Sequence, residues 1–222
     1  QFREIEEKMA EAVETLGFRE CLFPKLVTEE QFNELRSALP RFDEEGAREA
    51  VHATCAEIDS FPREFVHTHW QCEPFYYYLE QETPTEPVLF YDRSGWSHRR
   101  ERSISDDRLF EFQRIECVWF APEKEAERIQ QQLIEILVES ISDLNLPTEV
   151  LRKEQEEEAT GEKAVYDIEV PSEEFGPVEV TGTHYHGELF LNAVNADVER
   201  NFHTGCCGIA TSRLTNLVLA NK

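Results

Sequence analysis

No stretch of the 222 residues approaches the roughly 18 uncharged apolar positions that a bilayer-spanning helix requires. The first residues, QFREIEEKMAEAVETLG, make an acidic amphipathic pattern rather than the cationic, apolar leader of a secreted chain. A cytoplasmic protein with no membrane partner is therefore expected. Cysteine is sparse for a disulfide scaffold of this size, with six at 21, 55, 72, 117, 206 and 207, and reduced thiols are expected. Positive charge is scarce too, with 22 Lys and Arg against 46 Asp and Glu and a formal net charge of −24. In ordinary salt that balance repels nucleic acid and anionic membranes. Either the partner is not a polyanion, or the protein works in molar salt, where a Debye length of about 3 Å removes the repulsion. Few lysines and acid spread along the whole chain favour a salt-adapted, halophilic protein. Internal repeats and flexible linkers are absent, so one domain over 1–222 is expected.

The chain does carry 40% hydrophobic residues and 15 phenylalanines, material for a substantial core. Ile5, Met9, Val13 and Leu16 recur at helical spacing before Gly17, which ends a first helix. A strand over FRECLFP closes at Pro24, and Thr28 with Gln31 forms a capping box for a helix through about Leu39. VLFYDR and RLFEFQRIECVWF read as strands, the second stopped by Pro122. Over 123–143 the residues Ile129, Leu133, Ile134, Leu137 and Ile141 make the stripe of a helix lying on a sheet. TEVLRKE, AVYDIEV, PVEVTGT and ELFLNAV then read as four strands without crossover helices, hence antiparallel. RKEQEEEATGEK reads as a mobile charged loop, and a last helix is expected from Cys206 or Cys207 to the end. The layout is α+β: an antiparallel sheet flanked by helices.

On a strand, residues two and four apart share a face, so Arg108, Phe112 and Glu116 make a row of cation, aromatic plate and carboxylate. Such a row suits a nucleotide, with arginine on phosphates and the ring under a purine, although a solvated sheet face would show the same pattern. His67 with His69, and His184 with His186, each alternate about one residue. Such pairs are open to metal binding or to ordinary hydrogen bonding. Cys72, in HWQCEPFYYYLE, is open to two readings: a small buried apolar residue or a thiolate ligand. The aromatic run after it reads as core packing at a helix start. Cys21, Cys55 and Cys117 read as core, with Cys117 facing away from Glu116.

A helix and a strand ending in LFP, an Arg-x-Glu hairpin within SHRRERSISDDRLFEFQRIE, and GCCGIATSR resemble, in order, motifs 1, 2 and 3 of class II aminoacyl-tRNA synthetases. VYDIEV followed by VEVTGTHYH resembles segments of the seryl-tRNA synthetases. WQCEPFY, DRSGWSHRRE and EFQRIECVW are similar to the zinc-dependent archaeal members and to the related amino acid:carrier protein ligases. The resemblance implies ATP-dependent activation of serine, glycine or alanine to an aminoacyl-adenylate by a homodimer paired through motif 1. It implies that Arg99 meets the α-phosphate and the reacting carboxylate, Glu101 the adenine edge and Arg108 the γ-phosphate. Phe112 and Arg213 would sandwich the adenine, and Glu179 would hold Mg2+ on the phosphates. It further implies a Zn2+ bound by Cys72, Glu116 and Cys206, with Cys207 as the alternative third ligand, and a fourth position open to the substrate amine.

The chain departs from that pattern at two places. The motif 2 turn is only RSISDD where the family carries a glycine-rich stretch, and of the Gly-x-Gly in motif 3 only Gly208 remains. Two acceptors stay open: a tRNA hydroxyl or the phosphopantetheine thiol of a carrier protein. A third reading is a non-catalytic paralogue, which the presence of Arg99, Glu179 and Arg213 argues against.

Overall fold

A computed structural model describes residues 1–28, 30–31, 33, 65–67, 71–82, 84–98, 111–194, 196–197 and 201–221. The helices are α1 (Phe2–Glu14), α2 (Glu73–Glu82), α3 (Glu123–Ser142), α4 (Glu154–Thr160), α5 (Leu189–Ala193) and α6 (Thr211–Ala220). The strands are β1 (Arg19–Glu20), β2 (Leu26–Thr28), β3 (Phe65–His67), β4 (Val88–His98), β5 (Glu111–Pro122), β6 (Glu149–Arg152), β7 (Ala164–Ser172), β8 (Gly176–Gly187) and β9 (Phe202–Ile209). Seven strands form one sheet in the order β1-β4-β5-β9-β8-β7-β6, and β2 pairs with β3 beside it. Among the described residues only the short β1 runs parallel to its neighbour, and all other pairs are antiparallel. This is the expected α+β arrangement.

Because side chains alternate across a strand, the sheet separates two cores. On one face Ile115, Cys117, Trp119 and Ala121 of β5 and Cys207 and Ile209 of β9 pack with α1, α3 and α6. Ile5, Met9 and Val13 of α1, and Ile129, Leu133, Leu137 and Ile141 of α3, supply the stripes anticipated from their spacing. Gln130, fully buried on α3, donates to the Ala164 carbonyl and to Thr183 Oγ1, fixing the helix to β7 and β8. On the other face Val118 and Phe120 pack with Phe75, Tyr76 and Leu79 of α2 and Phe190 and Leu191 of α5. That second face holds the site.

Local signals held in several places. Gly17 takes φ 91°, the left-handed conformation that ends α1 with little strain. Thr28 and Gln31 make reciprocal bonds, Gln31 N–H to Thr28 Oγ1 and Thr28 N–H to Gln31 Oε1, each 3.1 Å. The helix expected to run from there to Leu39 lies mostly outside the described residues.

Four expectations are corrected. ELFLNAV is not a strand: Leu189–Ala193 is a short helix, because a brief apolar run has no period long enough to separate the two states. RKEQEEEATGEK contains α4 rather than a loop throughout, with Gly161 at φ 83° closing it. Cys206 and Cys207 do not begin the last helix; they lie inside β9, and α6 starts at Thr211. The strand predicted over FRECLFP shortens to Arg19–Glu20, after which the chain is held by Asp92 instead of by a ladder.

Candidate functional site

A cavity of about 290 Å³ opens on the second face, between the C-terminal part of β8, the middle of β5 and β9, and the residues before α2. Strand parity explains most of its lining. Phe112, Arg114 and Glu116 alternate along β5, Cys206 and Gly208 along β9, and Gly182, His184 and His186 along β8. Glu179 breaks the parity. Between Glu169 and Ile168 on β7, β8 carries one extra residue, Val180, and this bulge brings Glu179 onto the same face as Gly182. A second bulge on β8, against β9, makes His186 the extra residue, followed by Gly187 at φ 64°.

Cys72, Glu116 and Cys206 converge here: one donor atom of each lies within 4.8 Å of the others, and all three residues are buried. Cys207 is turned to the helical face, away from Cys72 and Glu116. Cys117 also faces away from Glu116, as anticipated. Phe112 and Arg213 meet at the mouth, with the guanidinium carbon 4.7 Å from the ring centroid, so they stack on each other and a base between them requires their separation. Arg213 also donates to the Glu179 carbonyl at 2.7 Å, and its Nη1 lies 3.6 Å from Glu179 Oε2. Arg99, Glu101 and Arg108 lie outside the described residues, as do Cys55, His69 and the side chain of His67.

Several site residues carry no motif and were not singled out beforehand. Arg114 places Nη2 3.1 Å from Glu116 Oε2 and donates through Nε to Gln71 Oε1 at 3.3 Å; Gln71 in turn donates to the Asp92 carbonyl. Tyr76 and Glu162 also reach the site. The period of two along β5 was the available signal for Arg114; Tyr76 and Glu162 become visible only when α2 and the turn after α4 are folded against β8.

The three converging groups fit a divalent cation on their own chemistry. Glu116 is 1% exposed, and its Oε2 has no hydrogen-bond partner, since the Arg114 contact is an ion pair without hydrogen-bond alignment. The hydrogen bond between the free thiols of Cys206 and Cys72, together with burial, pushes the Cys206 thiol well above the ordinary range. Two thiols and a carboxylate favour a softer cation such as zinc, whose sites use these donors. Gly208 leaves room for them: a Cβ there would sit 3.2 Å from Glu116 Oε2 and 3.3 Å from Arg114 Nη1.

Glu156, Glu162 and His184 form a second cluster within 4.8 Å, in which Glu162 and His184 are already an ion pair. Burial would raise the Glu162 carboxyl; the hydrogen bond from His184 and the charges of His186 and His184 bring it down to about 2. Burial would lower His184, yet its bond to Glu162 and that carboxylate's charge raise it to about 9. His186, 3% exposed, is brought down to about 4 by burial and is neutral at pH 7.

No protein-family model matches the sequence. The antiparallel sheet with its flanking helices has the fold of class II aminoacyl-tRNA synthetase catalytic cores. Giardia lamblia prolyl-tRNA synthetase in complex with prolyl-adenylate shares the fold, with a TM-score of 0.76 over 97% of this chain and 44% of its own, at 15% identity. Within the class the similarity is to the type-2 serine–tRNA ligases of methanogens. The enzyme of Methanothermobacter thermautotrophicus is 34% identical over 250 residues, covering 95% of this chain and 48% of the relative. That of Methanocaldococcus jannaschii is 30% identical over 262 residues, covering 96% and 49%. The Methanopyrus kandleri enzyme, solved in complex with Aquifex aeolicus tRNASec, aligns with a TM-score of 0.72 at 27% identity over 99% of this chain and 52% of its own. The chain spans about half the length of the curated relatives it matches.

Proposed function

We propose that this pocket activates a small amino acid with ATP, serine first among serine, glycine and alanine, and passes the aminoacyl group to tRNA. The observation that carries the reading is the convergence of Cys72, Glu116 and Cys206 beside Phe112, Glu179 and Arg213 in one cavity. The relatives described above are serine–tRNA ligases, which supports both serine and tRNA. Cys72, Glu116 and Cys206 would hold Zn2+, which when bound offers an open position to a free α-amine. The reduced thiols this needs suit a cytoplasmic setting.

The substrate carboxylate oxygen then attacks the α-phosphorus of ATP, a C–O–P bond forms, and the bond to the β-phosphate breaks to release pyrophosphate. No proton needs to move. Rate comes from bringing two anions together in line and neutralising them, the work proposed for Arg99 at the α-phosphate and Arg108 at the γ-phosphate. Glu101 would meet the adenine edge. Phe112 and Arg213 would part to stack on its two faces, and Glu179 would carry the Mg2+ that accompanies ATP. The residues 1–222 would serve as one catalytic domain. A homodimer through the segment around Pro24 is supported by Leu22, 76% exposed there, and Leu26 beside it. The −24 charge is assigned to molar salt, in which tRNA binding is not opposed by long-range repulsion.

The test is amino-acid-dependent exchange of pyrophosphate into ATP, in molar salt with zinc present. Exchange with serine, lost in Cys72→Ser and Glu116→Gln, is expected; no exchange with any of the twenty amino acids overturns the reading. Labelled product on tRNA is expected, whereas label on a phosphopantetheinylated carrier protein would move the acceptor to the carrier class.

A further inference from the structure

His186 is placed with more care than a buried histidine in a core needs. It is the extra residue of the bulge against β9, and the left-handed Gly187 behind it turns its ring toward Cys206. Phe190 of α5 packs against the ring at 4.5 Å and 62°, and stacks on Tyr76 at 4.4 Å and 11°, so one phenylalanine clamps both partners. His186 Nε2 lies 3.7 Å from Cys206 Sγ and 3.4 Å from Glu162 Oε1, and Nδ1 lies 3.1 Å from the Tyr76 hydroxyl, Tyr76 being fully buried.

The two contacts restrict each other. A neutral imidazole has one N–H and one lone pair, and a metal-bound sulfur is a thiolate, which only accepts. With the Glu162 carboxylate and a Cys206 thiolate both facing it, Nε2 must carry the hydrogen, which is shared between that oxygen and the sulfur. Nδ1 then needs a donor, and Tyr76 O–H is the group that faces it. The chain therefore runs in one direction, O–H to nitrogen and N–H to sulfur and carboxylate. The converging group of Cys72, Glu116 and Cys206 does not extend to His186, so the histidine stands behind the donors. Tyr76 also neighbours Cys72, and with its one O–H given to Nδ1 it has none left to donate to that second sulfur.

We infer that His186, with its tautomer fixed by Tyr76, is a positioning residue for the Cys206 thiolate, holding that sulfur toward the shared centre with Cys72 and Glu116. This rests on the metal reading above. A donor behind a ligand lowers the ligand's rotational freedom and spreads its charge, and loss of such partners typically weakens metal binding by roughly 10–100-fold.

The probes are Zn2+ and Co2+ alone, titrated into the metal-free chain against a competing chelator, with the sulfur-to-cobalt charge-transfer absorption recorded. His186→Leu keeps bulk without N–H, His186→Gln restores an N–H near Nε2, and Tyr76→Phe removes the donor to Nδ1. Zinc affinity should fall about 10–100-fold in His186→Leu, less in Tyr76→Phe, and recover most of the way in His186→Gln, with the cobalt–thiolate band shifted in step. Thermal unfolding of the metal-free variants separates a general loss of stability from this effect, which appears in the metal titration and the band. Wild-type affinity and an unshifted band in His186→Leu, or equal losses in Leu and Gln, overturn the positioning role while leaving the metal reading intact. A wild-type chain that binds neither metal overturns both.

Discussion

Cys206 and Cys207 are the same residue type, adjacent and both buried, yet they lie in opposite halves of the molecule. The helical face of the sheet takes Cys207, Gly205 and Trp119 into an apolar core, while the other face takes Cys206, Gly208 and Glu116 into a polar cavity. Composition does not separate the two faces. What separates them is what covers each: long amphipathic helices over one, and over the other short elements, α2 and α5, that leave charged groups around a hollow. The helical face should answer to changes in volume, and the site face to changes in donor chemistry.

The largest expected effect is on the helical face. A Cβ at Gly205 would lie 2.0 Å from Trp119 Cζ2 and 2.7 Å from the His184 carbonyl, and Trp119 is fully buried with no room to retreat. Gly205→Ala should cost more than about 4 kcal/mol or abolish folding, read by denaturant unfolding. If it folds with near-native stability, the close packing claimed for that face is wrong.

On the site face, fully buried Asp92 accepts from Phe23 N–H and Lys25 through Oδ2 and from Ser94 through Oδ1, fastening the segment after β1. Asp92→Ala should cost roughly 2–3 kcal/mol, since hydrogen bonds to a charged group are lost together. Burial alone would raise this carboxyl, but the Lys25 ammonium and the Ser94 hydroxyl and amide hold it below the ordinary value of 3.8. A depressed folded-state pKa contributes stability that is present above the ordinary value and lost as pH falls below it. Thermal unfolding followed from about pH 5 to pH 2 should show that loss, and Asp92→Asn should flatten that part of the profile.

Smaller effects sharpen the contrast. Cys207→Ala should lose roughly 1 kcal/mol to a small cavity while leaving metal content unchanged. Lys8, paired with Asp143 at 2.8 Å on the surface, should cost under about 1 kcal/mol when changed to Ala, and less in high salt. A large loss there would show that surface charge matters more to this acidic chain than its faces do.

The sequence made the alternation of β5 and the stripes of α1 and α3 legible because each pattern runs long enough to fix a period. It concealed β9, where FHTGCCGI is buried on both faces and so shows no alternation, and whose glycines argue against a strand. It concealed α4, which buries no residue and so offers no stripe. For the candidate site, motif resemblance pointed to Cys72, Glu116 and Cys206 from segments far apart, and left Cys206 and Cys207 to be separated by which way β9 faces. Arg114 was open to the period of two along β5, but Tyr76, Glu162 and the specific place of His186 stayed hidden because bulges and long-range packing, not local spacing, bring them to the site.

The most direct measurement is the zinc content of the purified chain and of Cys72→Ser, Cys206→Ser and Cys207→Ser, each checked for folding by circular dichroism. A single zinc ion per chain, lost in the first two variants and kept in the third, is the result predicted. Zinc absent from the wild-type protein, or lost equally on changing Cys207, would contradict a metal centre on the open face of the sheet.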